Sequence, residues 1–138
     1  MGALEGGPRV GFDLVELDRF ERALARHPGL MARLFTPAEI AYCASRGKPV
    51  LHFAARFAAK EAVGKLLGSG IVSWREIEVV RGAPPLVSLT GRTARLADEQ
   101  GVAGIRVSLS HVGSVAGACA VAMACSSEGA DDGRLFES

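Results

Sequence analysis

The rhythm of apolar and polar positions changes along this chain from helical to alternating. A short apolar run from Val10 to Val15, β-branched at both ends, predicts a strand. A helix follows from about Glu16 to Arg26, with Leu17, Phe20 and Leu24 on one face, and His27-Pro28-Gly29 stops it. Thr36-Pro37-Ala38-Glu39 carries a capping box with proline at the first helical position, so a short helix should run from Pro37 to near Gly47. A long helix spans about Val50 to Leu67, and Gly68-Ser69-Gly70 ends it. Beyond it, Glu76–Arg81 and Leu86–Leu89 read as strands around a Gly-Ala-Pro-Pro turn, and Gly91 to Gln100 reads as a helix. Ile105–His111 alternates with period two, and Ala116–Ala124 should pair with it as a hairpin around Gly113. Helices gather in the first half and hairpins in the second. The expected class is α+β, an antiparallel sheet packed against the long helix in a single domain.

Composition narrows this further. The chain has 138 residues, enough for one domain with a real core, and 49% are hydrophobic, which excludes a disordered chain. The expected bounds are a flexible lead over 1–8, a domain over 9–125 and a flexible tail over 126–138. The net charge of +1 and the single Trp and Tyr argue against a nucleic-acid binder. Cys43, Cys119 and Cys125 form no CxxC pair and are odd in number, so they read as reduced core residues. With no signal-peptide pattern and no apolar run long enough for a bilayer, the expected setting is the cytoplasm, away from membranes.

The candidate chemistry sits where charge interrupts apolar sequence. In the long helix, Arg56 and Lys60 share one face, Glu61 and Lys65 another, and Phe53 and Phe57 fall between them. Most of the remaining circumference is Ala, Val and Leu, so the helix should be buried, and buried charge must be paired or bind an ion. The plain reading is a Glu61–Lys65 pair with Arg56 and Lys60 snorkelling to water. Asp13 poses the same question inside the first strand, where it could instead end the strand or cap the helix. Alternatively, Asp13 and Glu61 could share a hard cation such as Mg²⁺, with Arg56, Lys60 and Lys65 left for phosphate. Ser110 and His111 are adjacent on a strand and diverge across the pleat, which rejects a serine-hydrolase pairing. His27 and His52 have no metal-ligand spacing. Arg19, Arg22 and Arg26 form a stripe opposite Leu17 and Leu24, either a solvated face or a docking surface for an acidic partner. A non-catalytic module binding coenzyme A or a nucleotide is the main rival to an enzyme, and it would not require Asp13 and Glu61 together.

These stretches together resemble the acyl carrier protein synthase family of 4′-phosphopantetheinyl transferases. The resemblance rests on GFDLVEL from Gly11 to Leu17, RFAAKEAVGKLLGSGI from Arg56 to Ile71, WREIEVV, GAPPLVSLTG, and SLSH at Ser108–His111. It covers about Val10 to Ala122, in the family's order. It implies the 4′-phosphopantetheinyl transferase fold, and transfer of the phosphopantetheine arm of coenzyme A to a serine of apo acyl carrier protein, from fatty acid or polyketide synthesis. Adenosine 3′,5′-bisphosphate would leave. It further implies Mg²⁺ on Asp13 and Glu61, and phosphate contacts from Arg56, Lys60 and Lys65. The Gly68-Ser69-Gly70 loop would lie beside the cofactor, with His111, and Ser110 next to it, at the nucleotide end. Carrier docking falls to Arg19 and Arg26, which Arg22 joins by its helix face alone. Catalytic roles fall to Asp13, Glu61 and Lys65, and the resemblance implies a homotrimer with sites between subunits.

Overall fold

The computed structural model describes residues 7–68 and 73–124. The first strand, β1 (Val10–Glu16), leads directly into α1 (Leu17–Arg26), which buries Phe20 and lays Leu17 and Leu24 against the core. A five-residue helix, α2 (Leu30–Leu34), comes next. The hydrophobic pattern gives no sign of it, because one turn and a half is too short to show a period. Then α3 (Pro37–Ala44) begins at the expected capping box: the Thr36 hydroxyl accepts from Glu39 N at 3.2 Å, and Glu39 Oε1 accepts from Thr36 N at 2.9 Å. The long helix α4 (Pro49–Leu67) starts with proline at its first turn and closes on Gly68, whose φ of 72° is the left-handed cap that glycine adopts without strain.

The second half forms the rest of the sheet. A 3₁₀ turn over Trp74–Glu76 precedes β2 (Ile77–Val80), so Glu76 lies in the turn rather than in the strand. Glu76 instead caps the helix α5 (Gly91–Glu99), accepting from the Thr93 amide at 3.0 Å and the Thr93 hydroxyl at 2.8 Å. Between them lies β3 (Leu86–Leu89), and the chain continues into the hairpin β4 (Val102–Val112) and β5 (Val115–Ala124). All five strands are antiparallel in the order β1-β5-β4-β3-β2, with β2 on one edge. This is the α+β arrangement that the sequence predicts.

The inner face of the sheet holds the core against α4, which packs on β1, β5, β4 and β2. Most of α4 is buried, and around it Phe20 stacks on Phe57 at 5.4 Å and Phe35 meets Phe53 at 5.1 Å between ring centroids. Cys43 belongs to this core as a free thiol, and burial pushes its pKa up to about 11. Cys119 is only half-buried on β5, contrary to a core role, and Cys125 lies outside the described residues. Among the described residues no helix is long and apolar enough to cross a membrane.

The outer face of the sheet is apolar as well. Val10, Phe12 and Leu14 point outward from β1 with 65%, 57% and 60% of their surface exposed. Val121 and Met123 on β5 extend this stripe, with Val10 directly opposite Val121. An antiparallel sheet with water on one face normally alternates apolar and polar residues, and this outer stripe departs from that pattern.

β1 approaches α4 so closely that Gly11 cannot be any other residue. A Cβ there would stand 1.8 Å from the Ala62 carbonyl oxygen, a backbone atom that cannot step aside. Gly11→Ala should therefore lower the unfolding free energy by about 3 kcal/mol, read by chemical denaturation. A loss below about 1 kcal/mol would show that the contact yields easily.

Candidate active site

The close approach of β1 brings Asp13 to the C-terminal half of α4. Asp13 Oδ1 accepts from Lys65 Nζ at 2.8 Å, and the same ammonium donates to the Phe12 carbonyl at 3.1 Å. Lys65 thus bonds across to the sheet, which differs from the Glu61–Lys65 pair that helical spacing alone suggests. Both positions stay accessible, the Lys65 side chain at 57% and that of Asp13 at 17%. Hydrogen bonding to Asp13, with the charge of that carboxylate, raises the pKa of Lys65 above the ordinary lysine value. Glu61 lies on the same side of the helix. Partial burial raises its pKa first, and the Asp13 carboxylate raises it further against the opposing pull of Lys65.

Two carboxylates, one of which disfavours the charge of Glu61 and already draws a cation, are the kind of pair that suits a hard divalent ion. Their oxygens are the ligand type that Mg²⁺ takes, and two are enough when waters and phosphate oxygens complete the shell. Among the described residues no group of three or more His, Cys, Asp or Glu side chains gathers in a metal-holding arrangement.

Arg56 defines a second part of the site. It is 5% exposed, and its Nε has no hydrogen-bond partner. A buried guanidinium N–H left without an acceptor is costly, and this orphaned donor is one that an anionic acceptor would satisfy. The Arg56 guanidinium lies 4.6 Å from the centroid of the Tyr42 ring, with Arg46 at 5.4 Å and Arg81 at 5.8 Å from the same ring. Tyr42 and Arg81 line a cleft of about 520 Å³ between α3 and β2. His52 sits edge-on to Tyr42, and its pKa is lowered by burial and then by Arg56, Arg46 and His111. These three guanidiniums come from α3's trailing loop, α4 and the residue after β2. Sequence reading singled out Arg56 alone, because no local spacing links it to Arg46 or Arg81.

Lys60 corrects the sequence reading. It is fully buried, neither snorkelling nor free for phosphate. Its ammonium donates to Glu39 Oε1 at 2.7 Å, to the Ile77 carbonyl at 2.5 Å and to the Trp74 carbonyl at 3.1 Å, which uses all three N–H groups. Burial lowers its pKa while the Glu39 carboxylate opposes that shift.

The other predicted residues divide by location. Gly68 is the exposed C-cap of α4, and Ser69 and Gly70 lie outside the described residues. Ser110 and His111 line a hollow of about 270 Å³ on the outer face, together with Phe12 and Leu14. Neither that hollow nor the larger cleft is lined by Asp13, Glu61 or Lys65. Arg19, Arg22 and Arg26 are all exposed on α1, away from buried Phe20.

The chain belongs to the 4′-phosphopantetheinyl transferase superfamily, whose sequence profile matches residues 9–120. It is accordingly a phosphopantetheinyl transferase. It is 51% identical over 123 residues to a holo-[acyl-carrier-protein] synthase of Moorella thermoacetica, covering 86% of this chain and 96% of that relative. A holo-[acyl-carrier-protein] synthase of Desulforudis audaxviator is 45% identical over 119 residues, covering 83% and 91%. The crystal structure of the holo-[acyl-carrier-protein] synthase from Neisseria meningitidis matches with a TM-score of 0.74 at 35% identity, over 83% of this chain and 96% of that one. The Helicobacter pylori holo-[acyl-carrier-protein] synthase in complex with coenzyme A matches with a TM-score of 0.68 at 27% identity, over 82% and 98%.

The raised pKa of Glu61 has a sign that can be measured. A carboxyl that binds its proton more tightly in the folded chain than in the unfolded one loses stability as pH rises from about 4.5 through the raised value. With a chelator present, Glu61→Gln should therefore be at least as stable as the parent at pH 7.5, with the difference shrinking toward pH 4.5. A variant clearly less stable than the parent at pH 7.5 would contradict the electrostatic account of Glu61.

Proposed function

We propose that this transferase is a holo-acyl-carrier-protein synthase, which moves the 4′-phosphopantetheine arm of coenzyme A onto a serine of apo acyl carrier protein and releases adenosine 3′,5′-bisphosphate. The single observation that carries the reading is the pairing of Asp13 with Glu61 beside Lys65, on the same helix as an Arg56 whose buried Nε lacks an acceptor. Holo-[acyl-carrier-protein] synthases at up to 51% identity support the reaction, and relatives crystallised with coenzyme A support the donor. A binding module without chemistry would need the arginines but not two mutually repelling carboxylates.

In this reading Asp13 and Glu61 hold Mg²⁺, which when bound would offset negative charge on the pyrophosphate. Arg56 donates to a coenzyme A phosphate, with Arg46 and Arg81 lending positive field around Tyr42 and His111 contributing at the nucleotide end. The Gly68-Ser69-Gly70 loop and Ser110 flank the cofactor. The carrier serine hydroxyl attacks the β-phosphorus as the bond to the adenosine bisphosphate oxygen breaks. Its proton passes to a water held by Glu61. Lys65, exposed enough to swing from Asp13, neutralises the departing phosphate. No nucleophile is required from this chain. Arg19, Arg22 and Arg26 dock the acidic carrier, and the free Cys43 thiol suits the reducing cytoplasm. The carrier serves fatty acid synthesis, polyketide synthesis or both.

Mass spectrometry of apo carrier protein after incubation with the enzyme, coenzyme A and Mg²⁺ tests the reaction. The carrier should gain one phosphopantetheine, and its absence with every divalent metal would sink the reading. In the same assay Asp13→Ala and Glu61→Ala should each lose at least about 100-fold while remaining folded. Arg19→Glu should raise the carrier KM more than the coenzyme A KM.

The apolar outer face of β1 and β5 supports assembly, and the family resemblance supports a homotrimer with each site walled by a neighbour. The native mass should then be that of three 14.4 kDa chains. A monomer at micromolar concentration by sedimentation would remove the shared-site arrangement.

A further inference from the structure

β2 is an edge strand, and an edge strand presents a row of backbone groups with no partner. Here the outward row is taken by two side chains. On its β3 side the residues whose backbone groups face that strand are Glu78, opposite Ser88, and Val80, opposite Leu86. On the outward side, Glu39 Oε2 accepts from the Val79 amide at 2.8 Å, and Lys60 Nζ donates to the Ile77 carbonyl at 2.5 Å. Glu39 Oε1 and Lys60 Nζ are themselves joined at 2.7 Å, with both side chains at most 1% exposed. One ion pair therefore fills the place of a neighbouring strand. Its members come from α3 and α4, so three elements are tied at one point.

That point lies against the cleft of about 520 Å³. Glu39, Tyr42 and Ala38 on the α3 side face Glu78, Val79 and Arg81 on the β2 side, and the Glu39–Val79 bond spans the two walls. Together with the bond that the Thr36 hydroxyl donates to Glu78 Oε2 at 2.6 Å, it ties the wall that carries Tyr42 to the wall that carries Arg81. Arg56 lies one helical turn before Lys60 on α4, so the same clamp fixes where its guanidinium meets the Tyr42 ring. A buried pair such as this is weak as a source of stability but rigid in geometry, because loss of either partner strands a charge in the core.

We propose that Glu39 and Lys60 are positioning residues for coenzyme A: they hold the edge of β2 against α3 and α4 and so set the arginine cluster around Tyr42, without touching the substrate. This rests on the reading that coenzyme A phosphates bind at Arg56. Glu39 is not reached by that reading, since its carboxylate is spent on Thr36, Lys60 and Val79.

The test is a double-mutant cycle with steady-state kinetics, using Glu39→Gln, Lys60→Gln, their combination, and Arg56→Ala as reference. Glu39→Gln should raise the coenzyme A KM roughly tenfold, with kcat and the carrier KM within about threefold of the parent. Lys60→Gln should do the same, and the double variant should be no worse than the worse single one, because the two residues act as one unit. The Val79 amide should exchange its hydrogen faster in each variant. If Lys60→Gln fails to fold, Glu39→Gln with its kinetics and Val79 exchange decides the matter alone. An unchanged coenzyme A KM in Glu39→Gln, or additive effects of the two substitutions, would overturn the clamp. If Arg56→Ala also leaves the coenzyme A KM unchanged, the phosphate reading itself fails; if it raises that KM while Glu39→Gln does not, only the clamp falls.

Discussion

Enclosure of α4 is the constraint on which the rest of the structure depends. The helix lies between the sheet and the shorter helices α1 and α3, and most of its side chains are out of water. An ion in such a place costs several kcal/mol unless it is paired and hydrogen-bonded. Each of its four central ions meets that demand differently. Lys60 turns inward and is matched by a carboxylate and two carbonyls. Arg56 reaches the wall of a cleft, where an aromatic ring covers it and one N–H remains unmet. Glu61 and Lys65 stand at the border with β1, where Asp13 meets them.

β1 links that border to the outer surface. The period of two along the strand sends Phe12 and Leu14 outward and Asp13 to the α4 side. The strand can serve both directions only because Gly11 lets it sit against the Ala62 carbonyl. A side chain at Gly11 would push β1 outward, moving Asp13 off Lys65 and disturbing the apolar stripe together. The carboxylate beside Lys65 and the apolar outer stripe are thus carried by one strand. A partner pressing on Phe12 would also stand beside the hollow lined by Ser110 and His111.

Much of this was legible in the sequence wherever cause and effect are close in the chain. The capping box at Thr36 and Glu39, the glycine stop at Gly68 and the hairpin around Gly113 are local signals, and each element begins or ends as expected. The oddness of Asp13 in a strand was visible, as was the burial of a helix carrying four ions. The partners were not. Glu39 reads as a cap and no more, because its meeting with Lys60 joins residues 21 apart and its bond to Val79 joins residues 40 apart. The i, i+4 rule assigned Lys65 to Glu61, whereas strand and helix packing offered it a carboxylate 52 residues away. Tyr42 with Arg46 and Arg81 carried no signal, since neither the ring nor the two guanidiniums stand out in their own segments.

Lys60 and Lys65 show how one residue type divides between architecture and chemistry. Five positions apart on a helix, they point about 140° from each other. That angle decides their surroundings, and the surroundings decide what each can do. Lys60 has spent all its donors on groups that do not move, so it can transmit geometry but cannot follow a reacting phosphate. Lys65 is more than half exposed and keeps one N–H beyond its two contacts, so it can leave Asp13 when stronger negative charge arrives. The sequence motif places both lysines in the same ten-residue stretch. Only the enclosure of the helix separates the one locked in the core from the one that stays accessible.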